Sequence, residues 1–257
     1  MNPILQLETF HTIPLATLDA KASMLTRLDN KYIVRGAIST LGIKKLRESF
    51  DVLKIKDLIS FGYHSIYFDS KKICFNEYTQ GKRQRFKART RVYQDSDNLA
   101  FFEVKLSGKG QTDKFRVRCE SNEHGILTTE FLMFIKDKYR EQYKKEFPYE
   151  LTPSVSTSYK RITLVAKNGG ERLTIDYDIV FTVDKKEIVL PKNLAIFETK
   201  SKNGNGISDK ILRQEHIKTV VACSKFGLAM VLSGKVSRYN KFLPVIKKHF
   251  SEYVVAT

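Results

Sequence analysis

Cysteine is scarce in this 257-residue chain and poorly placed for structural chemistry. Cys74, Cys119 and Cys223 are odd in number, far apart and without a C-x-x-C pair. That excludes a disulfide framework and a cysteine zinc site, and reads as reduced packing residues. No window approaches the roughly 20 apolar residues of a membrane-spanning helix, and the opening MNPILQLETF has no basic stretch leading into an apolar one. The expectation is a cytoplasmic protein, neither membrane-spanning nor secreted. Familiar catalytic signatures are missing too. There is no G-x-x-x-x-G-K-[ST] phosphate loop, because Ser107-Gly108-Lys109-Gly110 has the wrong spacing, and there is no G-x-S-x-G elbow. His11, His64, His124, His216 and His249 are not spaced as metal ligands and read as surface or packing residues. Acidic residues are also short: 28 Asp+Glu face 45 Lys+Arg, for a formal charge of +17.

What is present excludes wholesale disorder, since 42% of residues are hydrophobic and 17 Phe and 12 Tyr are spread along the chain. We expect one domain over residues 1–257, of α+β class with mainly antiparallel strands. The charge excess implies a polyanionic partner. Its arrangement is period-2, the signature of strands. Arg27, Asp29 and Lys31 share a face, as do Lys87, Arg89 and Arg91, then Glu103 and Lys105, then Lys114, Arg116 and Arg118. Later come Tyr159 with Arg161, then Arg172, Thr174 and Asp176, then Glu198 and Lys200. Solvated strand faces are the plain alternative for any one strand. Yet strand after strand offers Arg or Lys beside a single carboxylate, and like charges on neighbouring strands destabilise a sheet unless neutralised. A bound polyphosphate would neutralise them.

Helical spacing predicts amphipathic helices over Ile38 to Phe50, Ser121 to Phe147 and Ile207 to Val221, the last capped at Ser208-Asp209 after an Asn203-Gly204-Asn205-Gly206 turn. Asn168-Gly169-Gly170 predicts a hairpin between strands 158–167 and 171–183. Ser107 to Gly110 predicts another between strands 101–106 and 113–119. A stacking platform for RNA fits poorly, because Phe101 shares its face with Glu103. No specific nucleic-acid partner is expected.

In order along the chain, these motifs resemble the VTC domain of polyphosphate polymerases, within the triphosphate tunnel metalloenzyme (CYTH-like) superfamily, over residues 20–248. Arg27-Leu28-Asp29-Asn30-Lys31-Tyr32 is similar to the first-strand Arg-x-Glu-x-Lys-Tyr, and Tyr67-Phe68-Asp69-Ser70 to Tyr-x-Asp-Thr. Arg89-Thr90-Arg91 resembles Arg-x-Arg, and Glu103-Val104-Lys105 resembles Glu-x-Lys. Tyr159-Lys160-Arg161, Arg172-Leu173-Thr174-Ile175-Asp176 and Glu198-Thr199-Lys200 resemble Tyr-x-Arg, Arg-x-Ser-x-Asp and a second Glu-x-Lys. Ser224-Lys225-Phe226 and Asn240-Lys241-Phe242-Leu243-Pro244 are similar to the closing Ser-Lys-Tyr and Asn-Arg-Phe-x-Pro. Ala222 and Cys223 stand where some members carry a basic residue.

The resemblance implies a tunnel of about eight antiparallel strands in which a nucleotide's terminal phosphate is transferred to polyphosphate. It implies phosphate binding by Lys31, Arg89, Arg91, Lys105, Arg161, Arg172, Lys200, Ser224 and Lys225, with Arg116 or Lys114 as a looser addition. Lys31, Arg89, Arg91, Arg161 and Lys225 would carry the chemistry. Glu198 would hold Mn²⁺ or Mg²⁺, the alternative being an ion pair inside the sheet. Asp29, Glu103 and Asp176 read as partners holding Arg and Lys rotamers. Implied partners are ATP or another nucleotide and polyphosphate or pyrophosphate, with room for a membrane-associated protein. Arg27 replaces the first acid of the hydrolytic branch's Glu-x-Glu-x-Lys, which favours polymerase over triphosphatase or nucleoside triphosphatase. A non-catalytic polyanion-binding module is the remaining alternative.

Overall fold

The computed structural model describes residues 7–21, 28–97, 99–108 and 111–253. Arg27, Lys109 and Gly110 lie outside the described residues. The strands are β1 (Thr12–Ile13), β2 (Leu28–Arg35), β3 (Phe50–Leu53), β4 (Ser60–Asp69), β5 (Arg85–Tyr93), β6 (Leu99–Gly108), β7 (Gln111–Cys119), β8 (Thr152–Ala166), β9 (Arg172–Val183), β10 (Lys186–Val189) and β11 (Leu194–Ser201). The helices are α1 (Leu15–Lys21), α2 (Thr40–Ser49), α3 (Ile73–Thr79), α4 (Thr129–Tyr143), α5 (Ile207–Gln214), α6 (Lys225–Leu232) and α7 (Leu243–His249). The class is α+β, and the strand pairs of the two main paths given by register are antiparallel. None of the described helices is long and apolar enough to cross a membrane.

The chain forms two compact units, one of Met1–Phe61, Tyr159–Ile179 and Val189–Cys223, the other of Gly62–Ser158, Val180–Ile188 and Ser224–Thr257. In the first unit the strand order is β2-β11-β9-β8, with β3 also on β8 and β1 on β3. One sheet face buries Tyr32, Val34, Phe197, Leu173, Ile175, Ile162 and Leu164, joined by Leu46 of α2 and Leu212 of α5. Each such side chain contributes about 1.5–3 kcal/mol by leaving water. Asp209 of α5 is 1% exposed and ties the helix to this sheet. Its carboxylate accepts from Tyr32 Oη at 2.6 Å, Thr199 Oγ1 at 2.6 Å, Asn30 Nδ2 at 2.9 Å and the Gly206 N–H at 2.9 Å. Burial raises the carboxyl, but these donors outweigh it and hold Asp209 below the usual range.

In the second unit the order is β8-β4-β5-β6-β7. Phe102 of β6 stacks on Phe131 of α4, centroids 4.7 Å apart, and meets Phe68 of β4 edge-on. Phe75 of α3 stacks on Phe242 just before α7, 5.6 Å apart. All three cysteines are reduced and buried.

Two helix expectations are corrected. The span 121–147 holds a short 3-10 turn, Ser121–Glu123, and then α4 from Thr129 to Tyr143. Gly125 breaks it: φ is +87°, and a Cβ there would lie 2.6 Å from Ile66 Cδ1. Thr128 restarts the helix by accepting from the Phe131 N–H at 3.2 Å. The span 207–221 is helical only to Gln214. His216 has a positive φ, after which Thr219 bridges to Tyr32 and the Val220 N–H donates to Lys31 O at 2.8 Å. Residues 219–220 thus serve the edge of β2. Gly206, not Ser208-Asp209, is the N-cap. The two predicted hairpins form: Ala166 N–H donates to Glu171 O at 3.0 Å, and Gly108 pairs with Gln111.

Candidate functional site

In the second unit, alternation on β5 puts Arg85, Lys87, Arg89 and Arg91 on one face. Antiparallel register extends that face sideways. Lys87 lies opposite Lys105, which lies opposite Lys114, while Arg89 lies opposite Glu103 and Glu103 opposite Arg116. Across β5, β6 and β7 this face carries eight cations, Arg118 being the eighth, and one carboxylate. That carboxylate, Glu103, is 1% exposed. It accepts from Arg89 Nε at 2.8 Å and pairs with Lys114. Burial raises its carboxyl, yet Arg89, Arg91 and Lys114 together hold it far below the usual carboxylate range.

Tyr67 of β4 reports the same field. Its hydroxyl accepts from Arg89 Nη1 at 2.8 Å. Burial pushes the phenol up, but Arg89, Arg91 and Lys87 prevail and it sits below its ordinary value. Arg91 donates to Ser65 Oγ at 3.0 Å. Ser224 caps α6 by accepting from the Gly227 N–H at 3.1 Å, and the same oxygen lies 3.5 Å from Lys87 Nζ. Lys225 opens α6 and is half-buried, whereas Lys105 and Arg116 are exposed, Arg116 lying 4.6 Å over the Phe101 ring.

The first unit has a more balanced face. Lys31 Nζ lies 3.2 Å from Glu198 Oε2, and Lys200 bridges Glu198 and, at 2.7 Å, Asp29. Arg161 makes a fork to Asp176, Nε to Oδ1 at 2.6 Å and Nη2 to Oδ2 at 2.8 Å. Arg172 lies opposite Lys200. Burial raises the Glu198 carboxyl, but Lys31, Lys200 and Arg161 hold it well below its ordinary value. Asp29, Glu103 and Asp176 therefore act as the rotamer-holding partners expected of them, and Glu198 sits in the ion pair that was its alternative reading. Opposite Glu198 on β9, the buried Thr174 Oγ1 has no hydrogen-bond partner.

Lys31, Arg161, Arg172, Glu198 and Lys200 thus gather in the first unit, and Arg89, Arg91, Lys105, Arg116, Ser224 and Lys225 belong to the second. Three contributors were given no site role from sequence. Lys87 had the signal, since period 2 places it with Arg89 and Arg91. Tyr67 stood in a quoted motif without a role. Thr174 becomes notable only through register.

No curated protein matches the chain. Among solved structures, a Pyrococcus horikoshii OT3 protein shares 12% identity over 79% of this chain and 99% of its own, with a TM-score of 0.44. A putative adenylyl cyclase from Hippeastrum with a dominant triphosphatase activity shares 12% over 82% of this chain and 98% of its own, with a TM-score of 0.47. The VTC domain family model matches residues 26–233, a span containing every residue of both cationic faces, and the chain belongs to that family.

Proposed function

We propose that the protein is a metal-dependent polyphosphate polymerase, acting in the cytoplasm as one VTC-like domain. The observation that carries this reading is the face of eight cations around one buried carboxylate, in a chain of the VTC family. Phosphoryl transfer asks the protein to align donor and acceptor oxygens and to stabilise charge spread over phosphate oxygens. Arginine forks and lysines meet that need without a covalent nucleophile. A terminal oxygen of the acceptor chain bonds the γ-phosphorus of ATP or another nucleotide as the bond to the bridging oxygen breaks, and the nucleoside diphosphate leaves. In this reading Arg89, Arg91 and Lys225, with Lys105, Arg116 and Ser224, hold phosphates on the second unit's face, and Lys31 and Arg161, with Arg172 and Lys200, hold phosphates on the first unit's face.

The residues present fit a hard divalent ion with few protein ligands. Glu198 is ionised, and the partnerless Thr174 hydroxyl faces it. Carboxylate and hydroxyl oxygens suit Mn²⁺ or Mg²⁺, whose remaining ligands are phosphate and water. Among the described residues no three His, Cys, Asp or Glu cluster as a protein-only cage. When bound, such an ion neutralises charge on the transferring phosphate.

Polymerase is favoured over hydrolase because the other carboxylates on these faces are engaged by cations, Asp29 by Lys200, Glu103 by Arg89 and Asp176 by Arg161, which leaves Glu198 as the single carboxylate assigned to the ion and none to activate water. Incubation with ATP and Mn²⁺ should yield a polyphosphate ladder on a gel. Orthophosphate alone would indicate a hydrolase, and neither product a binding module. Arg89→Gln and Glu198→Gln should each slow synthesis about a hundredfold or more, and full activity in both would overturn the assignment.

A further inference from the structure

Lys87 leads away from the residues assigned so far. The β5 row from Arg85 to Arg91 is about 20 Å long at roughly 3.3 Å per residue. Each of its cations lies over an aromatic ring. Arg91 is 5.4 Å from the Tyr63 centroid and Arg89 5.4 Å from Tyr67. Lys87 is 5.5 Å from Phe226 and 5.1 Å from Tyr78, and Arg85 is 5.9 Å from the same Tyr78 ring. Lys241, far along the chain, completes the group at 4.2 Å from Tyr78. Three cations therefore converge on one ring.

The row is neutralised unevenly along its length. At Arg89 the buried Glu103 answers the charge. Arg85 donates to the Lys82 carbonyl at 2.6 Å and Lys241 to the Tyr78 carbonyl at 3.3 Å, and the α3 carboxylate whose charge reaches Arg85, Glu77, also answers Lys82 and accepts from Tyr149. The ring supplies a modest attraction to each cation. A polyanion laid over Tyr78 would supply the rest.

We propose that Arg85, Lys87 and Lys241, gathered around Tyr78, form a further phosphate subsite that grips a stretch of polyphosphate remote from the transferring end. This rests on the phosphate-chain reading of the β5 face. The occupant is a linear chain because the row is straight and continuous with Arg89 and Arg91, Lys87 lying between them and Arg85. Tripolyphosphate is too short to engage both ends of such a row. The subsite therefore makes affinity depend on chain length.

The test is equilibrium binding of tripolyphosphate and of long-chain polyphosphate, without nucleotide, to the full chain. In the Arg85→Gln/Lys241→Gln double variant the ratio of long-chain to tripolyphosphate affinity should fall about tenfold or more, the loss of two charge-assisted contacts. The Lys136→Gln/Lys144→Gln variant removes two exposed charges elsewhere in the second unit and should keep the ratio. An unaltered ratio in the first variant, or an equal fall in both, overturns the subsite. Failure of the wild type to make polyphosphate would strike the polymerase reading alone and leave this ratio to be decided by binding.

Discussion

Arg161 and Asp176 show how a single side chain is held in place. The fork holds the guanidinium in one rotamer beside a carboxylate that is 1% exposed. Asp176→Asn keeps the shape and removes the charge. Unpairing a buried ion costs about 3–5 kcal/mol, which urea denaturation should show as a lower midpoint at similar slope. His64 and His124 make a second residue-scale case, since alternation predicts nothing about them. His124 Nε2 lies 2.8 Å from His64 Nδ1, and His64 Nε2 lies 2.6 Å from Ser156 Oγ. They are 60 residues apart in sequence, so only tertiary contact reveals the pair. Burial pushes His124 down to about 4, with the His64 charge adding to it, and burial lowers His64 as well. The unfolded chain takes up these protons near 6.5 and the folded chain only at lower pH, so stability is lost as pH falls from about 6.5 toward 4. The melting temperature of His124→Gln should fall less across that window than the wild type's, and parallel curves would contradict the pairing.

Among the elements, α6 is open to single changes at both its cap and its packing. Ser224→Ala removes its cap and should cost about 1 kcal/mol. Gly227→Ala should cost about 1–3 kcal/mol by overpacking, because its Cβ would collide with Cζ of the fully buried Phe242. Urea midpoints of both variants check the order, and an unshifted midpoint for Gly227→Ala would contradict the packing. Strands were more legible than helices. Alternation of Arg89, Arg91, Glu103, Arg116 and Arg118 correctly assigned the face that register then joined across β5, β6 and β7. The helical pattern in 121–147 and 207–221 ran past its ends because a tight backbone approach at Gly125 and the edge pairing of Thr219 with Tyr32 overrode it. Such contacts leave no local periodicity.

At the scale of the whole molecule, the +17 charge is unevenly spent. The first unit's face balances its lysines and arginines with Asp29, Asp176 and Glu198, while the second unit's face sets a single carboxylate, Glu103, among eight cations. The order of short motifs along the chain was enough to anticipate the VTC family, because a phosphate-binding strand constrains alternate residues and little else. What the motifs could not convey was the ring under each cation, since Tyr78, Phe226 and Lys241 come from separate segments. The central claim is that these strand cations grip phosphate. Its most direct measurement is the salt dependence of polyphosphate binding. For a linear polyanion the slope of log affinity against log salt should become shallower by about 0.7 for each contact removed. The account predicts that change for Arg89→Gln and for Arg161→Gln and none for Lys136→Gln, whereas one common slope for all three and the wild type would contradict it.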